Sequence, residues 1–184
     1  FPRESELFGL ELIINAILSN KIENAELVYR PVGDLDNKIL EKYQSYDFFK
    51  LQPSQQSFIG MADYSDEKTT DDEVVEFLKS MMDCDLLVMA GDSSICIECA
   101  FMDIPSISFY HDETGILNRR ETLKYFLKDG KLQFIPNIPV VIEKNLLVNQ
   151  INLLLHDEEI RSRQVDKTLE LWNFKDVDFE SKLF

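Results

Sequence analysis

Residues 85–98 read DLLVMAGDSSICIE, and this stretch indicates the fold class of the chain. The near-continuous apolar run at 85–90 is typical of a parallel strand that is covered on both faces of its sheet. Gly91 then allows a tight turn, and residues 93–102 return to a helical pattern. Another apolar run, at 104–110, predicts the next buried strand. We therefore expect a strand–helix–strand unit with parallel strands.

The rest of the chain continues this alternation. Helical spacing or capping predicts helices at 4–18, 37–43, 70–82, 120–128, 144–155 and 158–171, and apolar runs predict further strands at 25–30, 132–135 and 139–142. Residues 46–66 are predicted to be a loop with at most one weak strand near Phe58 and Ile59. The predicted fold is one α/β domain, Rossmann-like and doubly wound, with a mainly parallel sheet and helices on both faces.

The N-terminal residues and the net charge predict which further segments and partners to expect. A Rossmann-like lobe opens with a strand, whereas this chain opens with a helix and without Met, so we expect a longer protein with that strand before Phe1. The 34 acidic and 19 basic residues give a formal net charge of −15, which repels nucleic acid and anionic membranes as general partners. No apolar run reaches the roughly 20 residues that span a bilayer.

The three cysteines, Cys84, Cys96 and Cys99, are too few for a disulfide scaffold and favour a reducing, cytoplasmic compartment. The Cys96–Cys99 spacing is also compatible with a redox pair or with part of a zinc site. The alternative is that all three thiols are small apolar side chains of the interior.

Ligands of open α/β sheets bind at the carboxyl ends of the strands, beside the following helices. Here that rule points to the turn after the strand at 85–90, where Asp92, Ser93 or Ser94 would cap the next helix and free backbone N–H groups would bind an anion or phosphate. Glu98, one helical turn beyond Ser94, would accept hydrogen bonds from a diol such as a ribose. The alternative is that the serines only cap the helix and that Glu98 only contacts water.

Three segments of the chain carry a resemblance to a known family. They are DLLV at 85–88 followed by Ser93-Ser94, Glu98 and PSI at 105–107; VYRPVGD at 28–34; and LLLHDEEIR at 153–161. Together they resemble the donor-binding lobe of GT-B glycosyltransferases, in particular the bacterial capsule and surface-polysaccharide transferases, and of the related UDP-N-acetylglucosamine 2-epimerases. The resemblance spans most of residues 25–170.

The resemblance implies roles for several side chains. Ser93 and Ser94 would contact the nucleotide diphosphate, and Glu98 would hold the ribose hydroxyls. Arg30, at the carboxyl end of a strand, would offset phosphate charge; the alternative is a strand-end residue in a surface ion pair.

Two residues after the strand at 104–110 would complete this set. His111 would reach the same cleft and Tyr110 would stack on a base; the alternatives are an exposed loop histidine and a core tyrosine. Two positions depart from the family pattern: Val32 replaces a His, and Asp103 replaces a Gly.

The implied function is that of the donor-binding lobe of a nucleotide-sugar-dependent glycosyltransferase in polysaccharide synthesis. The helix N-terminus would stabilise the leaving nucleoside diphosphate without a metal or a further cofactor, and an N-terminal lobe would supply the catalytic base. Two Asp-x-Asp matches, at 34–36 and 83–85, are discounted as metal sites because 34 acids produce such matches by chance. The alternatives are a nucleotide-sugar epimerase and a catalytically silent module that binds a nucleotide or a partner protein.

Overall fold

The computed structural model describes residues 3–31, 40–52, 71–91, 93, 95–109, 127–128, 131–132, 138, 140–141 and 143–171. The chain divides into two compact units, of which the first comprises Phe1–Ile13 and Ser80–Phe184 and the second comprises Ile14–Lys79. None of the helices in these described ranges is both long and apolar enough to cross a membrane.

The helices of the described ranges are α1 (Arg3–Leu18), α2 (Asp71–Met82), α3 (Ile95–Phe101), α4 (Lys144–His156) and α5 (Glu158–Leu171). The strands are β1 (Leu27–Tyr29), β2 (Phe49–Leu51), β3 (Leu87–Met89), β4 (Ser106–Phe109), β5 (Leu127–Lys128), β6 (Lys131–Leu132) and β7 (Val140–Val141). The helices predicted at 4–18, 70–82, 144–155 and 158–171 are confirmed, and the strands are shorter than their apolar runs. Of the helix predicted at 37–43, residues 37–39 lie outside the described residues, Leu40 and Glu41 are helical, and residues 42–43 form a turn.

The main sheet of the first unit contains β3, β4 and β7 in that order, all parallel. Leu87 of β3 pairs with Ser106 of β4, and Ser108 of β4 pairs with Val140 of β7. All four residues of the central strand β4 are buried, as expected for a strand with neighbours on both edges and cover on both faces. Because α3 connects β3 to β4, the predicted strand–helix–strand unit is confirmed.

Side chains of β3 and β4 contact two helices, α3 and α1. Met89 of β3 packs against Cys96 of α3 on one face. Phe109 follows Ser108, the partner of Met89, so its side chain points to the opposite face, because side chains alternate along a strand. There it meets α1, whose Gly9 lies so near that an added Cβ would stand 2.9 Å from Cδ1 of Phe109.

Helix α5 completes the hydrogen bonding of β4 where β7 does not reach. The N–H of Ser106 donates to Oε1 of Gln164 at 3.1 Å, and Nε2 of Gln164 donates to the Ser106 carbonyl at 2.6 Å. This carboxamide therefore takes the position of a strand peptide group. It is 8% exposed and satisfies backbone groups that would otherwise be buried without partners.

Strands β1 and β2 of the second unit form a two-stranded parallel sheet with Leu27 opposite Phe49. The Phe49 ring packs on Tyr29, with centroids 6.3 Å apart, and on Tyr43, with centroids 5.8 Å apart. The prediction of a loop throughout 46–66 is wrong at 49–51, because pairing with β1 and burial of Phe49 stabilise a strand there. The weak strand predicted near residues 58 and 59 lies outside the described residues.

Strands β5 and β6 form an antiparallel pair with Lys128 opposite Lys131. The prediction of a helix at 120–128 is therefore wrong at its end, and residues 120–126 lie outside the described residues. Asp129 and Gly130 separate the two strands in the sequence, and this dipeptide is typical of two-residue hairpin turns. Strand β6 overlaps the start of the run predicted as a strand at 132–135, and residues 133–135 are not described.

These pairings establish an α/β protein with small parallel sheets. The described strands form separate sheets rather than one continuous sheet, so a doubly wound Rossmann-like arrangement stays a prediction.

Candidate functional site

The connection from β3 to α3 lies at the carboxyl end of a parallel strand, where the sequence predicts a ligand site. Gly91 begins this connection with a φ of 114°, a backbone conformation that L side chains rarely adopt. Gly91 is buried, whereas Ala90 before it and Ser93 after it are exposed. The chain therefore turns at a glycine that no other residue replaces without strain.

Ser93 is the described member of the predicted diphosphate-binding pair. Its Oγ accepts a hydrogen bond from the Ile95 N–H at 3.4 Å, which is longer than the usual range for this bond. Its carbonyl accepts the N–H of Cys96 at 3.5 Å and the thiol of Cys96 at 3.0 Å. The hydroxyl thus makes a weak contact that caps the helix, as the alternative interpretation of these serines predicts. Ser93 also stays exposed to solvent.

Glu98 lies in the first turn of α3 and is exposed. The buried side chains of this helix are Cys96, Cys99 and Ala100, so the carboxylate points away from the interior. Glu98 lies on the helix that follows β3, and its position relative to Ser94 stays a prediction. Its contact with a ribose stays a prediction.

Ser108 contributes to this connection from β4, and the sequence reasoning missed it. Its hydroxyl donates to the Gly91 carbonyl at 2.6 Å, and the residue is 0% exposed. The signal was the alternation of two serines with Ile107 and Phe109 in a run that is otherwise apolar. Of these two buried serines, Ser108 is the one whose hydroxyl has a hydrogen-bond partner.

The three cysteines are free thiols, of which Cys96 and Cys99 are buried and Cys84 is half-buried. The pKa of the Cys99 thiol is raised to about 12. Burial is the main cause, and the neighbouring Cys96, Cys84 and Glu98 contribute less. A thiol of such a high pKa contains almost no thiolate near pH 7 and is a poor nucleophile or metal ligand. In the described part of the chain, no group of three or more His, Cys, Asp or Glu side chains is placed to hold a metal ion. Cys96 and Cys99 therefore follow the interior alternative.

The other predicted site residues lie either in the second unit or outside the described residues. Arg30 belongs to the second unit and directly follows β1, as predicted. It is half-buried, and burial lowers the pKa of its guanidinium, which still carries its charge at neutral pH. Asp92, Ser94, Tyr110 and His111 lie outside the described residues, so their predicted roles stay predictions.

Comparisons with family models, with curated proteins and with solved structures were made for the whole chain. None of them found a match. The resemblance to GT-B glycosyltransferases therefore rests on the sequence motifs alone.

Proposed function

We propose that this chain is the donor-binding lobe of a nucleotide-sugar-dependent glycosyltransferase of the GT-B type, built as a Rossmann-like, doubly wound domain. The observation that supports the proposal is the β3–α3–β4 unit. Its strands are parallel, and a positive-φ glycine, an exposed serine and an exposed glutamate follow the first strand in the predicted order. In parallel α/β sheets this edge is where ligands bind.

The proposed chemistry is electrostatic. Backbone N–H groups and serine hydroxyls of the β3–α3 connection bind the nucleoside diphosphate and stabilise the charge that develops as it leaves the sugar. The Glu98 carboxylate accepts two hydrogen bonds from the ribose hydroxyls, and its exposure makes its oxygens accessible to a ligand. The base that activates the acceptor comes from another lobe of the protein.

Isothermal titration of the chain with UDP, CDP and GDP tests the proposal. Saturable binding of at least one nucleoside diphosphate is expected. Glu98→Ala is expected to weaken that binding roughly 10- to 100-fold, because a hydrogen bond to a charged group contributes about 1.5–3 kcal/mol. Ser94→Ala is expected to weaken UDP more than uridine, since the hydroxyl contacts only phosphate.

The matched control is Asp166→Ala, which removes one exposed carboxylate from α5 and so changes the net charge equally. Its binding constant is expected to stay within about twofold of the native value, because Asp166 lies on a different helix and its exposed charge is screened at physiological salt. A folded native chain that gives no heat with any of the three nucleotides would refute the proposal and favour a partner-binding module. Conversion of a bound nucleotide sugar to its epimer would favour the epimerase.

A further inference from the structure

We propose that Ser108 is the positioning residue of the β3–α3 connection, and that the buried Cys96 thiol assists it. The contact itself stands on the structure alone, whereas its importance for ligand binding rests on the proposed function. The two residues reach the connection from different elements, Ser108 from β4 and Cys96 from α3. Neither contacts a ligand in this proposal.

Two carbonyls of the connection, those of Gly91 and Ser93, accept bonds from buried side chains. The Gly91 carbonyl accepts the Ser108 hydroxyl at 2.6 Å, and the Ser93 carbonyl accepts the Cys96 thiol at 3.0 Å. These two bonds restrict backbone rotation at Gly91 and Ser93, so they favour one conformation of the connection.

A second serine on the same strand shows that this contact is specific. Ser106 lies two residues before Ser108, on the same face of β4, and is 3% exposed. Its Oγ is buried and has no hydrogen-bond partner. Two buried hydroxyls thus share one face of β4, and of these two only the Ser108 hydroxyl bonds to the connection. Comparing the removal of each hydroxyl therefore separates the effect of this contact from the effect of losing a buried hydroxyl.

Amide hydrogen exchange of the full chain, with Ser108→Ala and the matched control Ser106→Ala, tests the positioning role. Ser108→Ala leaves the Gly91 carbonyl buried without a partner, so we expect exchange at residues 91–96 to accelerate by roughly tenfold. Exchange in α5 is expected to stay unchanged in both variants. Ser106→Ala is expected to leave residues 91–96 as they are in the native chain.

A graded variant keeps the test decisive if Ser108→Ala folds poorly. Ser108→Cys retains a buried donor of similar shape but weaker strength, so its exchange at residues 91–96 is expected to lie between native and Ser108→Ala. Equal effects of the Ser106 and Ser108 substitutions, or no change at residues 91–96 in either Ser108 variant, would overturn the positioning role.

Titration with UDP and with uridine tests the functional part. Ser108→Ala is expected to weaken UDP binding by roughly tenfold and to leave uridine binding within about twofold, because only the phosphate contacts depend on the connection. Equal loss for both ligands overturns the functional part. If the native chain binds neither, the donor-site proposal fails, while the exchange experiment still decides the role of Ser108.

Discussion

At the scale of the residue, Cys99 shows what burial does to a titratable side chain. The residue is 2% exposed, and its pKa rises from 9.0 to about 12, chiefly because the thiolate would lose its hydration there. The unfolded chain releases this proton at a lower pH than the folded chain does. Between these two values the unfolded state therefore binds fewer protons, and the folded state loses stability as the pH rises.

We predict that the contribution of Cys99 is fully present below pH 9 and is lost progressively as the pH approaches 12. Urea unfolding of the native chain and of Cys99→Ala between pH 8 and about 11 measures it. Other groups also titrate in this range, so the pH dependence of the free energy of unfolding is compared between the native chain and Cys99→Ala. The native free energy of unfolding should fall more steeply with pH than that of the variant. Parallel curves would contradict the prediction.

At Gly9, the neighbouring Phe109 ring restricts which amino acid can occupy the position. A Cβ at this position would lie 2.9 Å from Cδ1 and 3.2 Å from Cε1 of Phe109. The Phe109 ring is 1% exposed and stacks on Phe8, with centroids 6.4 Å apart, so the ring has little room to move aside. The close approach of α1 to the sheet therefore depends on the absence of a side chain.

We predict that Gly9→Ala destabilises the fold by about 1 kcal/mol. Overpacking costs about 1–3 kcal/mol and outweighs the gain of up to about 1 kcal/mol in helix propensity. Chemical denaturation measures the change. Asn15→Ala, at an exposed position of the same helix, receives the propensity gain alone and should be neutral or stabilising. A Gly9→Ala variant as stable as Asn15→Ala would show that the ring yields.

At the scale of the element, α3 ends in a Schellman motif. The Ile104 N–H donates to the Cys99 carbonyl at 2.8 Å, and the Asp103 N–H donates to the Ala100 carbonyl at 3.2 Å. Asp103 itself has a φ of 59°, in the left-handed region that this motif requires. The family pattern that the chain resembles has a Gly at this position, and Gly adopts this left-handed backbone more readily than Asp. Arg161 of α5 donates to the Asp103 carbonyl at 3.0 Å, a contact that needs no Asp103 side chain.

We predict that Asp103→Gly stabilises the protein by about 0.5–1 kcal/mol, because Gly adopts a positive φ without the steric cost of a Cβ. The greater freedom of Gly in the unfolded chain offsets part of this gain. The denaturation midpoint measures it. Asp103→Ala keeps the Cβ and loses the tolerance of Asp for this conformation, so it should be the least stable of the three chains. A Gly variant less stable than the native chain would contradict the prediction.

Helix α5 and strand β2 show which elements a local sequence pattern predicts and which it does not. Helix α5 begins where its residues predict it, since Asp157 accepts the Ile160 N–H at 3.0 Å and two glutamates occupy the first turn. Strand β2 has no comparable local signal. Its three residues become a strand because Leu27–Tyr29 lies alongside and because Phe49 packs between two tyrosine rings. Such partners come from distant parts of the chain and leave no mark on local periodicity.

At the scale of the whole molecule, a three-stranded parallel sheet organises the first unit. The parallel order of β3, β4 and β7 places the β3–α3 connection at a carboxyl edge, where the proposed donor site lies. The net charge of −15 makes this edge an unfavourable place for an anion unless local N–H groups and cations compensate. For that reason the backbone orientation that Ser108 and Cys96 maintain matters more here than in a basic protein.

The sequence by itself determined the elements whose signal is local. Apolar runs located β3 and β4, helical spacing and caps located α1, α2, α4 and α5, and Gly91 located the turn, because these patterns reflect the backbone preferences of neighbouring residues. Only the tertiary structure decided the pairing of β2, the antiparallel pairing of β5 with β6 and the hydrogen bond from Ser108 to Gly91. Each of these depends on atoms that lie far apart in the chain, and their contact free energy appears only when folding brings them together.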